Sequence, residues 1–207
     1  MATLRKYIAV AGNMGVGKSS LVRFLCHQYD LKPFYEPNEF NPYLKDFYGD
    51  MRRWAFHSQV YFLAGKFRIH QELEAARERR TVIQDRSIYE DAEIFAENLY
   101  RSRRMLKRDY QTYQALYQSI VSALHPPDLM IYLRGNLRTL KRRIHGRGRR
   151  EEQQIPDSYL RRLNTLYEEW FGRYDLSPTL VIETDHIDYV TDLVDRLDLM
   201  TRIEKYL

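Results

Sequence analysis

Short hydrophobic runs alternate with longer amphipathic stretches along the chain. The runs Tyr7–Ala11, Pro33–Tyr35, Thr81–Gln84, Leu129–Leu133 and Leu180–Ile182 have the length and composition of strands. Between them, apolar residues recur at helical spacing. Helices are expected from Lys18 to about Gln28, Arg52 to Arg79, Tyr89 to Leu99, Asp109 to Leu124, Leu137 to Ile144, Ser158 to Tyr174, and Tyr189 to near the end. Asp50 or Met51 precedes the long helix, and His125-Pro126-Pro127-Asp128 breaks the chain between a helix and a strand. Strands that alternate with helices predict an α/β fold, a parallel sheet of about five strands flanked by helices. No repeat, low-complexity segment or long linker interrupts the pattern, so residues 1–207 read as a single domain.

Composition narrows the class. With 44% hydrophobic and 29% charged residues the balance is that of a soluble globular chain. No apolar run approaches the roughly 20 residues that span a bilayer, and the first apolar run is a strand rather than a signal peptide. No membrane association and a cytoplasmic location are therefore expected. The single cysteine, Cys26, lies among the apolar residues of the first helix and reads as a buried thiol. A net charge of +5 suits phosphate ligands, although nucleic acid also prefers basic partners.

The candidate chemistry begins where the first strand ends. Gly12-Asn13-Met14-Gly15-Val16-Gly17-Lys18-Ser19 has the spacing G-x-x-x-x-G-K-S, and Ser20 and a helical pattern follow at once. Strand, glycine-rich loop and helix in that order form the phosphate-binding P-loop. Glycines let backbone N–H groups approach a polyphosphate, and the new helix turns its positive end to the anion. Lys18 supplies a point charge for the β- and γ-phosphates, and the Ser19 hydroxyl can ligate Mg²⁺.

Three further segments follow strands, at the sheet edge where ligands of open parallel sheets bind. Glu36 follows the second strand; it is either a proton acceptor for an attacking hydroxyl or a surface acid before a proline turn. Asp85-Arg86-Ser87 follows the third strand. Asp85 could hold Mg²⁺ or cap the next helix, and Arg86 could grip a hydroxyl or phosphate with its planar fork. Arg143, Arg147, Arg149 and Arg150 surround two glycines and are followed by Glu151 and Glu152. Beside a P-loop, residues 143–152 read as an Arg-rich lid closing over a triphosphate; a solvated charge run and a nucleic-acid patch are the other readings. The run Arg101, Arg103, Arg104, Lys107, Arg108 reads as a solvated loop, because no aromatics for base stacking interleave it.

Together these residues resemble the deoxynucleoside kinases, salvage enzymes that phosphorylate deoxyribonucleosides at the 5′-hydroxyl. The resemblance runs nearly end to end. It includes the P-loop, Tyr35-Glu36-Pro37, Asn41-Pro42-Tyr43-Leu44 with Phe47-Tyr48, Arg53-Trp54-Ala55-Phe56 with Gln59, Asp85 to Asp91, and Arg147-Gly148-Arg149 with Glu151-Glu152-Gln153. The Asn-Pro-Tyr-Leu segment and the Asp before Arg-Ser are most similar to bacterial deoxyadenosine and deoxyguanosine kinases.

The resemblance implies a P-loop kinase fold, ATP as phosphoryl donor, Mg²⁺, and a homodimer formed through two helices of each subunit. It implies that Glu36 is the general base, with Arg86 beside it. Lys18 and Ser19 would hold donor phosphates and Mg²⁺, with Asp85 near the metal. Gly12, Asn13, Met14, Gly15, Val16, Gly17 and Ser20 complete the phosphate loop. Leu44 and Tyr48 fall on the substrate side, and Tyr48 with Glu152 would bind the sugar 3′-hydroxyl. Gln59 and Asp91 would hydrogen-bond the base, and Phe95 would stack on it. Arg143, Arg147 and Arg149 would be lid residues, and Asp188 and Tyr189 would lie near the donor base. Asp91 and Phe95 are four apart and share a helix face. Lys66, seven residues after Gln59 and on its face, stands where relatives usually carry Arg; it keeps the charge and loses the bidentate fork. Ser58 is smaller than the residue often found before the glutamine, so a roomier, purine-sized pocket is expected.

Two other functions share some of these signals. A nucleoside monophosphate kinase such as thymidylate kinase has a P-loop and lid, but a carboxylate at Glu36 would repel a phosphate acceptor. A P-loop regulator that binds nucleic acid would leave Glu36 and Gln59 unexplained.

Overall fold

The structure, a computed structural model, describes residues 5–35, 41–149, 152–153, 155–187 and 192–206. Its strands are β1 (Tyr7–Gly12), β2 (Lys32–Phe34), β3 (Val82–Asp85), β4 (Leu129–Arg134) and β5 (Thr179–Glu183). They form one parallel sheet in the order β2-β3-β1-β4-β5. β1 is central, with Val10 opposite Asp85 on one side and Gly12 opposite Leu133 on the other. Its carboxyl end is therefore the point where successive crossovers depart in opposite directions, the place where open α/β sheets hold ligands.

All six residues of β1 are buried, since helices cover both faces. Tyr7, Ala9 and Ala11 face a core with Met130 and Tyr132 of β4. That core is closed by α3 (Met51–Arg77), α6 (Lys107–Val121) and α8 (Asp157–Phe171). Ile8 and Val10 face the opposite core, closed by α1 (Lys18–Gln28), α7 (Leu137–Arg147) and α9 (Leu193–Glu204). The expected strands and helices are all present, with ends shifted by a few residues.

Three local features depart from the sequence reading. A short helix, α2 (Leu44–Gly49), precedes α3, and Asp50 caps α3 by accepting a hydrogen bond from the Arg53 N–H at 3.1 Å. The helix expected from Tyr89 to Leu99 is not uniform. It comprises α4 (Ile88–Glu90), a π-helical segment (Asp91–Ala96) and α5 (Glu97–Arg101). The Glu97 N–H reaches back to the Ala92 carbonyl, the spacing of a π turn. Cys26 is half-buried rather than buried, and that burial pushes its thiol pKa up.

Candidate active site

The phosphate loop owes its shape to glycines that nothing else could replace. Gly12 has φ 144°, and a Cβ there would lie 2.6 Å from the Leu133 carbonyl oxygen. Gly15 has φ 76°, and a Cβ there would lie 2.7 Å from Ile144 and 2.8 Å from the Leu140 carbonyl oxygen. α7 thus packs directly on the loop. Lys18 is buried, and its ammonium donates to the carbonyls of Gly12 at 2.8 Å and Asn13 at 3.1 Å. The Ser19 hydroxyl donates to the Asp85 carboxylate. Asp85 therefore meets the phosphate loop rather than capping a helix. The cap of α4 is Ser87, in a capping box with Glu90.

Other loop residues anchor it. The Asn13 side chain accepts from the Met14 N–H at 2.7 Å and donates to the Leu160 carbonyl at 3.0 Å and to Asn164 at 2.6 Å, both on α8. Val16 is a core residue, and Met14 packs against the other core.

A cavity of about 660 Å³ opens from this loop, lined by Gly15, Gly17, Lys18, Ser19, Ser20 and Ile187 together with Arg23, Arg142, Arg143, Arg147 and Arg149. Lysine and five arginines around one cavity make a strongly anion-attracting site. Arg23 and Arg142 escaped the sequence reading. Arg23 lies one turn beyond Ser19 on α1, a spacing that could have revealed it. Arg143 differs from the expectation. Its guanidinium donates to the carbonyls of Val16 at 2.7 Å, Thr184 at 2.8 Å and Ile187 at 3.4 Å, and to the Thr184 hydroxyl at 3.1 Å. It fixes α7 to the phosphate loop and to the segment after β5. Arg147 and Arg149 instead reach Glu152, Arg147 in a close hydrogen bond and Arg149 at 3.5 Å. The carboxylate expected beside Tyr48 is held here by these two arginines.

The second half of the site lies after β3. Arg86 is buried and left-handed, with φ 66°, a strained conformation for a residue with a Cβ. Its N–H donates to Val10 O at 3.0 Å, and its carbonyl accepts from the buried Lys66 ammonium at 2.6 Å. Its guanidinium lies 4.6 Å over the Phe95 ring. Glu90 approaches Arg86 Nε at 3.8 Å. Asp91 and Phe95 both lie on the π segment, a feature that often marks functional sites.

Gln59 is buried on α3, and its side-chain oxygen has no hydrogen-bond partner among the described residues. An unsatisfied buried acceptor suits a ligand that donates to it. Leu44 packs against the core from α2, while Tyr48 is half exposed at 48%. Tyr48 approaches Tyr159 of α8, whose hydroxyl pKa is raised first by burial and then by the Tyr48 phenol. Ser58, just before Gln59, is completely buried, and its hydroxyl and carbonyl accept from the Asn41 amide at 3.0 and 3.3 Å. Glu36, Asp188 and Tyr189, and with them Arg150 and Glu151, lie outside the described residues.

Comparison with known proteins shows the family and the fold. Residues 8–207 match a family model described as deoxynucleoside kinase. The deoxyadenosine/deoxycytidine kinase of Bacillus subtilis (strain 168) is 40% identical over 187 residues, 89% of this chain and 85% of that protein. A deoxyguanosine kinase of Lactobacillus acidophilus is 37% identical over 205 residues, 95% of this chain and 88% of that protein. A solved structure of deoxyadenosine kinase from M. mycoides, with the products dCMP and a flexible dCDP bound, superposes with a TM-score of 0.81. It is 31% identical, covering 97% of this chain and 100% of that one.

Proposed function

This chain belongs to the deoxynucleoside kinase family, and from that premise we propose that it transfers the terminal phosphoryl group of ATP to the 5′-hydroxyl of purine deoxyribonucleosides, in nucleotide salvage. The observation that carries the reading is the Lys18- and arginine-lined cavity at the phosphate loop, with Asp85 and Arg86 after β3 tied to the same sheet edge through Ser19 and Val10. Lys18, Ser19 and the arginine-lined cavity suit a triphosphate; buried Gln59, Asp91 and Arg86 with Phe95 suit a nucleoside.

In this mechanism Lys18 and the loop N–H groups hold the donor phosphates, and the reaction is accelerated mainly by positioning and charge stabilisation. Arg86 binds and orients the acceptor oxygen. Glu36 takes the proton from the 5′-hydroxyl as that oxygen attacks. The Ser19 hydroxyl and the Asp85 carboxylate, already in contact, offer the hard oxygen ligands that Mg²⁺ prefers. Bound there, Mg²⁺ would neutralise charge on the donor phosphates. Residues 143–152 act as a lid, in which Arg147 and Arg149 leave Glu152 for the transferred phosphoryl group while Glu152 turns to the sugar 3′-hydroxyl beside Tyr48. Asp188 and Tyr189 flank the donor base.

The reading extends to a single kinase domain over 1–207, a cytoplasmic enzyme and a homodimer. No helix among the described residues is long and apolar enough to cross a membrane. The outward face of α3 carries Phe62, Gly65 and Ile69 around a shallow cavity of about 230 Å³, and Leu116 of α6 is 43% exposed, which favours helices as the dimer contact. In the basic run at 101–108, Arg101 pairs with Glu97 and Glu169 and Arg108 with Asp109, and no nucleic-acid partner is assigned to this run. Initial rates with ATP and Mg²⁺ on deoxyadenosine and on dAMP test the acceptor. Turnover of the nucleoside and none of the monophosphate is expected; the reverse would make the protein a monophosphate kinase.

A further inference from the structure

Glu90 carries a carboxyl group into the core with none of its surface exposed, and the chemistry above gives it no part. One of its oxygens serves the local cap, accepting from the Ser87 N–H at 2.8 Å and the Ser87 hydroxyl at 3.4 Å. A helix cap needs no more than that. The other oxygen is turned toward two distant elements. It accepts from the Gly12 N–H, at the head of the phosphate loop, at 3.2 Å, and from the Tyr167 hydroxyl on α8 at 2.8 Å. Arg86 Nε stands 3.8 Å from the same oxygen. A buried carboxylate persists only where donors compensate it, and here the donors come from both half-sites and from α8.

We propose that Glu90 is a positioning residue for phosphoryl transfer, holding Gly12 of the phosphate loop and the acceptor-side Arg86 in one register, with Tyr167 tying that register to α8. The proposal rests on the kinase reading above. The backbone of Arg86 is fixed by Val10 on one side and Lys66 on the other. The carboxylate then adds an ion-pair attraction on its guanidinium, at 3.8 Å, beside the Phe95 ring on which that guanidinium lies. Misplacing reacting groups by about 1 Å can cost on the order of a hundredfold in rate, so a shared anchor between donor and acceptor sides acts on the rate rather than on either affinity. Glutamine has the same shape but would turn an amide NH₂ toward a group that already donates.

The test is steady-state kinetics of wild type, Glu90→Gln and Tyr167→Phe with ATP, Mg²⁺ and deoxyadenosine or deoxyguanosine, alongside thermal melts. Glu90→Gln is expected to lower kcat about tenfold or more, with both KM values within about threefold of wild type. Tyr167→Phe, which leaves the carboxylate its other donors, is expected to lower kcat about threefold, again at unchanged KM. A purely structural role would lower the melting temperature and leave kcat per folded molecule at the wild-type value, and that result overturns the proposal. A loss confined to KM overturns it as well. If Glu90→Gln does not fold, Tyr167→Phe decides alone, and wild-type kcat in that variant refutes the register. A wild-type protein that phosphorylates no deoxynucleoside would instead remove the kinase reading, and this proposal with it.

Discussion

Lys66 shows how a departure at one residue acquires a physical meaning. Where relatives usually carry Arg, a bidentate fork would be lost. The ammonium, however, donates to the Arg86 carbonyl at 2.6 Å, a contact for which a point charge suffices. Glu36 is the residue on which the proposed chemistry turns. Glu36→Gln keeps the shape but cannot accept a proton, so kcat should fall roughly 10²–10⁴-fold with a far smaller change in KM for the deoxynucleoside. A steep rise in KM at constant kcat would make Glu36 a binding residue. Lys18, Ser19 and Asp85 were legible because motif and strand-end position both announce them. Glu90 and Asn41 were not, because each acts across a long sequence separation on backbone groups or on a hidden hydroxyl. The neighbour of Ser58 needs the fold for the same reason: a small side chain signals space, and only the fold brings the Asn41 amide against it.

At the scale of elements, α7 matters most. Its inner face seats on Gly15 through Leu140 and Ile144, and its basic face lines the phosphate cavity. Arg143 is held by the Val16, Thr184 and Ile187 carbonyls, so in the proposed lid the moving contacts fall to Arg147 and Arg149. Arg147→Ala and Arg149→Ala should each cut kcat more than they weaken nucleoside binding, because their phosphate contacts belong to the closed, charge-developing state. Calorimetry with the nucleoside alone should give a nearly unchanged affinity; a large loss would place these arginines at the nucleoside. Sequence periodicity found α7 and α8 readily but could not find the π segment. The wider turn of a π segment barely disturbs an apolar pattern over six residues, so Asp91 and Phe95 still read as one helix face. The short α2 was missed because it holds too few residues to display a period.

The whole molecule is a sheet buried on both faces, and the strand order follows from the hydrophobic runs only in part. Parallel strands were predictable; the central place of β1 needed the structure. On the face covered by α3, His70 packs edge-on to Tyr7 at 5.5 Å, with Glu74 at 3.6 Å. Burial lowers the His70 pKa, more than Glu74 raises it, while His125 and Arg77 lower it further. Its folded pKa lies below the unfolded value of about 6.5. As pH falls through about 6.5 the unfolded chain takes up the proton first, so this contribution to stability is present above that pH and lost below it. Thermal melts from pH 8 to pH 5 should show a steeper acid loss in wild type than in His70→Gln; equal slopes would mean that His70 does not contribute.

The central claim concerns the acceptor, and base recognition sharpens it. An ionised Asp91 only accepts hydrogen bonds, so it favours a donor edge: the amino group of adenine or cytosine, or N1–H and N2 of guanine. Thymine turns its O4 to that carboxylate. The most direct measurement is the initial rate of 5′-monophosphate formation from the four natural deoxynucleosides, at equal concentration, with ATP and Mg²⁺. The account predicts turnover of deoxyadenosine or deoxyguanosine, with thymidine the slowest of the four. Thymidine preferred over both purine deoxynucleosides would contradict this reading of the site, and no turnover of any of the four would contradict the function itself.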